Sequence, residues 1–140
     1  IEGAKIAIDK IENCLKNGYN FTQESTLSDN TTSRTCKKAK ESGYYIRLYY
    51  IGIDSEEESL KRIRNRVEKG GHNIPTEDVH RRFENRFKVL NKVLPYCDEA
   101  FFFDNNNGFE EVAKYRNGEF TVTTEKEPDW FKEFRGNLKL

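Results

Sequence analysis

Ala4, Ile8, Ile11 and Leu15 recur at spacings of four, three and four, which gathers apolar side chains on one stripe of a helix, and Gly18 follows as its stop. YNFTQESTL, residues 19–27, then predicts a short strand ending in polar residues, and Ser28 or Asp29 is placed to cap a helix running through RTCKKAKES to Gly43. YYIRLYYIGI, residues 44–53, is rich in aromatic and β-branched residues with little polar alternation. That pattern predicts a strand covered on both faces inside a mostly parallel sheet. Ser55 and Glu58 have capping-box spacing, and Leu60, Ile63 and Val67 predict the buried stripe of a helix that ends near Gly70 and Gly71. Beyond Pro75, Thr76 is the candidate cap of another helix, with Val79, Phe83, Phe87, Leu90 and Leu94 on one face until Pro95. EAFFFD, residues 99–104, predicts a second apolar strand. Asn117-Gly118 between FEEVAKYR and EFTVT predicts a hairpin, and Pro128 to Phe134 a last short helix. Strands alternating with helices point to an α/β layered fold in a single domain, 1–140.

Composition narrows the partners. Lysine plus arginine, 24, equal aspartate plus glutamate, 24, so no global field favours nucleic acid or a membrane surface, and any electrostatic function must come from local clustering. Cys14, Cys36 and Cys97 are scattered and odd in number, which fits neither a disulfide framework nor a zinc-ligand pair and suits a reducing cytoplasm. No run is long and apolar enough to span a bilayer. The chain opens on Ile1 and contains no methionine, which we read as a piece of something longer.

Local clustering is found in RVEKGGHNIPTEDVHRRF, residues 66–83. On the helix before the glycines, Arg64 lies beside the apolar stripe while Arg62 and Arg66 project to solvent. On the helix after them, Arg82 and Arg86 flank the apolar face and Arg81 points away. Guanidinium groups suit phosphate because their forked donors match its oxygens and their charge is permanent. Gly70, Gly71 and His72 then read as the turn of a lid that closes over phosphate. The competing reading has the arginines solvating two helices and pairing with Glu68, Glu77, Asp78 or Glu84. His72 and His80 have no companions at metal-ligand spacing, so no metal site is assigned to this chain. Glu24, Ser25 and Thr26 follow a predicted strand, where open α/β sheets hold polar ligands; the alternative is that they cap the next helix.

Together, GAKIAIDKIENCLKNGYNFTQESTLS, YYIRLYYIGIDSEEESLKRIRNRVEKGGHNIPTEDVHRRF and LPYCDEAFFFDN resemble the zeta-toxin-like family of P-loop kinases and predicted ATPases, from about Gly3 to Asn105. The resemblance implies a P-loop NTPase (nucleotide-kinase-like) three-layer fold with a mostly parallel sheet, a helical lid at about 60–88, and here a small C-terminal hairpin. It implies ATP and Mg2+ as cofactors, and phosphorylation of a UDP-N-acetyl amino sugar as in characterised zeta toxins. By the same resemblance Glu24 and Thr26 match the element that holds the acceptor. Arg64 or Arg66 before the turn and Arg81 or Arg82 after it match the lid residues that neutralise ATP phosphates. Asp104 and Asn105 match the region near the adenine. The implied partners are a nucleotide, a small-molecule phosphate acceptor and an antitoxin protein.

The chain departs from that pattern in lacking G-x-x-x-x-G-K-[ST], the loop whose amides, lysine and hydroxyl serve phosphate and magnesium, and the acidic catalytic base. We therefore expect the N-terminal strand-loop-helix to be missing, a gap in the sheet between the Glu24 strand and the Ile46 strand, and no phosphate transfer by this fragment alone. The reading of another class is a non-catalytic module that binds an anionic partner through the arginine helices. The isoelectric point near 6.9 argues against general nucleic-acid binding.

Overall fold

The computed structural model describes residues 2–138. Its helices are α1 (Glu2–Asn17), α2 (Thr31–Glu41), α3 (Glu56–Glu68), α4 (Thr76–Val93) and α5 (Asp129–Gly136), and its strands are β1 (Arg47–Gly52), β2 (Glu99–Asp104), β3 (Glu110–Arg116) and β4 (Glu119–Val122). The strands form one sheet in the order β1-β2-β3-β4. β1 and β2 are parallel, with Tyr49 opposite Phe101 and Ile51 opposite Phe103, and the α3–α4 pair supplies the crossover such a connection needs. β2–β3 and β3–β4 are antiparallel. The turn between β3 and β4 is Asn117-Gly118, both at positive φ, 53° and 84°, as a type I′ hairpin requires.

The core lies on one face of this sheet. Phe102, Ala100, Val112, Ala113 and Tyr115 meet Phe87, Leu90, Val93 and Leu94 of the α4 region and Trp130, Phe131 and Phe134 of α5. Phe102, Leu90, Leu94, Trp130, Phe131 and Phe134 are at most 1% exposed. Each such side chain contributes roughly 1.5–3 kcal/mol by leaving water.

The other face is open. Tyr49 is 60% exposed and Ile51 52%, and Tyr49 stacks on Phe101 with ring centroids 5.2 Å apart. The expectation of a β1 strand covered on both faces is thus corrected. So is that of a mostly parallel, three-layer sheet: the described sheet is mixed, with its helical core on one side. YNFTQESTL forms no strand; residues 19–27 join no ladder. Strand geometry is held by bonds to a neighbour, and β1, at the sheet edge, is not paired with this segment. With no Glu24 strand in the described sheet, the expected gap between it and the Ile46 strand is not formed, and β1 is an edge strand.

Several local signals hold. Gly18 stops α1 at φ 71°, and Ser55 Oγ accepts the Glu58 amide at 3.1 Å as the N-cap of α3. Others shift. No described residue of α1 is buried; Ile11 and Leu15 of its stripe are half-buried, and the Tyr44 hydroxyl donates to the Cys14 carbonyl at 2.7 Å. α2 starts at Thr31 with Asn30 in the cap position, while Asp29 Oδ1 accepts the Thr31 amide at 2.9 Å. Thr76 is the first helical residue of α4 rather than its cap, which is Pro75. In α3 only Ile63 is buried; Leu60 is half-buried and Val67 is 38% exposed.

Candidate functional site

The glycine pair between α3 and α4 has a definite structural task. Lys69 is the C-cap of α3, Gly70 adopts φ +90°, and the amides of Gly70 and Gly71 return to the carbonyls of Val67 (3.0 Å) and Arg66 (2.7 Å). This is a Schellman stop, in which the residue after the cap must be left-handed. A side chain at Gly71 would meet Arg66 O at 2.9 Å. Residues 64–73 are all exposed, including Arg64, Arg66, Gly70, Gly71 and His72.

The arginines divide by partner. Arg81 reaches Asp78 at 3.4 Å, as the surface-pair reading expects. Arg86 is structural: its guanidinium lies over Phe83 (3.7 Å) and Phe87 (4.1 Å), donates to the Phe83 carbonyl at 2.6 Å and pairs with Glu133 of α5 at 3.2 Å. Arg64, Arg66 and Arg82 have no carboxylate within salt-bridge distance among the described residues. Arg82 is half-buried, and its Nε is buried with no hydrogen-bond partner. Arg62 corrects an expectation. It does not project into solvent; it is half-buried, with Nε on Glu58 at 3.0 Å and Nη2 on the carbonyl of Asn105.

The start of α2, beyond Glu24, touches α4. Lys92 donates to Asn30 Oδ1 at 3.1 Å, and Asp29 is held below the usual carboxylate range by the Thr31 amide and hydroxyl, with smaller contributions from the charges of Arg34 and Arg81. Glu24, Ser25 and Thr26 are exposed. Ser25 Oγ meets Thr32 Oγ1 at 2.7 Å and Thr26 Oγ1 meets Ser28 Oγ at 2.8 Å, so both hydroxyls serve the approach to α2, while Glu24 stands free of such bonds. Among the described residues no hydrogen bond or ion pair joins Glu24 or Thr26 to the arginines of α3.

Asp104 and Asn105 sit where β2 ends. Asp104 Oδ1 accepts Trp130 Nε1 at 2.8 Å and Asn106 Nδ2 at 2.7 Å, and the Asn105 amide donates to Gly52 O at 2.9 Å. A groove of about 680 Å³ opens beside them, lined by Asp54, Asp104, Glu110, Glu127 and Asp129 among others. Among the described residues no group of three or more His, Cys, Asp or Glu is arranged to hold a metal ion. Nor is any described helix long and apolar enough to cross a membrane.

His80, exposed on α4, links the two helices. Its Nδ1 lies 2.8 Å from Glu56 Oε1 on α3 and its Nε2 3.1 Å from Glu84 Oε1 on α4. Doubly protonated, the imidazolium donates to both carboxylates, and the Glu56 hydrogen bond, then the charges of Glu56 and Glu84, raise its pKa. A raised folded-state pKa gives stability that is complete below the unfolded value of about 6.5 and lost as pH rises through the folded value. Melting wild type and His80→Gln across roughly pH 5.5 to 8.5 should show wild type losing its advantage as pH rises. Parallel curves would show that the imidazolium contributes nothing.

The described architecture is that of an α/β protein whose paired, arginine-bearing helices cross between two parallel strands. Comparison with known proteins gives the family: the zeta toxin model matches residues 3–108, and the chain belongs to the zeta toxin family. It is also 41% identical over 83 residues to an uncharacterized protein of Haemophilus influenzae, a stretch that makes up 59% of each chain. The chain thus spans about three-fifths of the length of that curated relative. No solved structure matches the chain.

Proposed function

We propose that this chain is the later part of a P-loop kinase that transfers phosphate from ATP to a small-molecule acceptor, with a UDP-N-acetyl amino sugar as the candidate. Family membership supports the class. The observation that carries the site is that Arg64, Arg66 and Arg82 stand on one pair of helices without carboxylate partners among the described residues. Of the arginines of α3 and α4, Arg62, Arg81 and Arg86 have partners within the fold, and the cations left free suit an incoming anion.

In this reading residues 60–88 form the lid, and Arg64, Arg66 and Arg82 neutralise the polyphosphate, while Arg81 is paired with Asp78. Glu24 and Thr26 hold the acceptor, and Asp104 and Asn105 border the base. ATP, when bound, supplies the phosphoryl group. The work of these residues is positioning and charge stabilisation. The donor set present does not make a magnesium site, so no step is assigned through the metal here. The motif G-x-x-x-x-G-K-[ST] is not in this sequence, and residues 1–140 alone are expected to transfer no phosphate. The place of action in this reading is the cytoplasm, and an antitoxin is the candidate protein partner.

Calorimetric titration of the parent protein with ATP tests the reading. Arg82→Ala should weaken binding by about tenfold or more, the loss expected for one charge-assisted phosphate contact. A parent protein that binds no ATP would remove the phosphotransfer reading and leave the arginine helices as a surface for an anionic partner.

A further inference from the structure

Arg62 is the arginine of α3 that the phosphate reading does not use, and it has the most structured surroundings. Its Nε is held by Glu58 one turn earlier, while Nη2 donates to the carbonyl of Asn105 and lies 3.5 Å from that of Asn106. The loop it grips is fixed from several sides. Asn106 Oδ1 accepts the Asp54 amide at 3.1 Å, and Asn106 Nδ2 donates to Asp104 at 2.7 Å and Asp54 at 3.2 Å. The same two carboxylates hold α5, through the Trp130 amide on Asp54 at 3.1 Å and the indole nitrogen on Asp104 at 2.8 Å. The ends of β1 and β2, the start of α5 and the loop therefore form one bonded unit.

We propose that Arg62 is a positioning residue: the pivot that fixes the base of α3 to this unit and so sets where Arg64 and Arg66 stand relative to the carboxyl ends of β1 and β2. The physical basis is an asymmetry along the helix. Near its start α3 is tied to α4 by Glu56–His80 and to the sheet by Arg62, whereas every residue from Arg64 to Asn73 is exposed. Arg66 lies one turn beyond Arg62 on the same flank. Movement of the exposed half must turn about the anchored residues just before it, Arg62 by its hydrogen bonds and Ile63 by its burial. A guanidinium suits that place because Nε and Nη2 serve two acceptors at once, and a lysine ammonium has no such fork.

The structural half of this proposal stands on geometry alone; its catalytic half rests on the phosphotransfer reading. Amide hydrogen exchange on the full protein without nucleotide tests the first. Arg62→Ala should speed exchange at the Asn105 amide and in the α3 segment 60–63 by about tenfold, the loss of one charged hydrogen bond, while Phe102 and Val112 stay protected. Arg62→Lys should fall between, and Arg64→Ala should match wild type. If Arg62→Ala fails to fold, Arg62→Lys decides. Faster exchange confined to Asn105 and 60–63 sustains the pivot, and wild-type exchange there in whichever variant folds overturns it. In a parent protein that turns over ATP, Arg62→Ala should raise KM for ATP with little change in kcat; unchanged KM would overturn the catalytic half. A parent protein that binds no ATP leaves the exchange result to decide the pivot separately.

Discussion

Phe102→Ala should destabilise the protein by about 3–5 kcal/mol, the usual cost of emptying a fully buried phenylalanine site. Phe102 is 0% exposed, and its ring lies between 5.6 and 6.0 Å, centroid to centroid, from those of Phe131, Phe120, Phe134 and Tyr50. These neighbours come from β1, β4 and α5, which cannot all move inward to fill the space. Against a total of roughly 5–15 kcal/mol for a typical domain, the loss would leave little folded margin. The neighbouring residue supplies the control. Phe101 points to the open face and stacks on exposed Tyr49, so Phe101→Ala should cost about 1 kcal/mol or less. Urea denaturation of both variants at unchanged slope checks the contrast. Equal costs for the two would mean that the Tyr49 face is covered in solution.

Gly52→Ala should have the second largest effect for its size. A methyl group there would stand 2.4 Å from Trp130 Cε2 and 2.5 Å from Cδ2, well inside contact distance. The indole has nowhere to retreat. It is 1% exposed, its backbone amide is bonded to Asp54 and its ring nitrogen to Asp104. One methyl group therefore forces apart the end of β1 and the start of α5, at the upper end of the roughly 1–3 kcal/mol seen for overpacked cores. A double-mutant cycle isolates the cause. Trp130→Phe shortens the obstructing ring, so Gly52→Ala should cost distinctly less in that background. The same cost in both backgrounds would place the strain in the strand itself.

The clash at Gly52 also shows where sequence reading stops. A glycine inside YYIRLYYIGI weakens a strand pattern, and nothing within ten residues says that Trp130, far along the chain, occupies the missing side chain's space. Where the determinant is local, the reading and the fold agree. EAFFFD is β2 residue for residue, Asn117-Gly118 makes the hairpin, Ser55 caps α3, and Gly70-Gly71 ends it. The zeta-toxin resemblance likewise rested on contiguous motifs, and the match covers residues 3–108.

Disagreement begins where an element depends on a distant neighbour. Residues 19–27 carry strand-forming residues but join no ladder, since a strand is completed only by the backbone beside it. That residues 44–53 hold a strand was legible, but not that Tyr49 and Ile51 would face outward, because covering a face requires a second layer. At the candidate site, the arginines could be named from the chain, and their different fates could not. Arg86 is taken by Phe83, Phe87 and Glu133, Arg62 by Asn105, and Arg64, Arg66 and Arg82 are left without carboxylate partners among the described residues. The helices, the turns, the second strand and the family follow from torsional preference, capping and short motifs, and so were legible in the chain. Which faces are covered, which strands are paired and which charges are spent depend on groups brought together from far apart in the chain, and are visible in the fold alone.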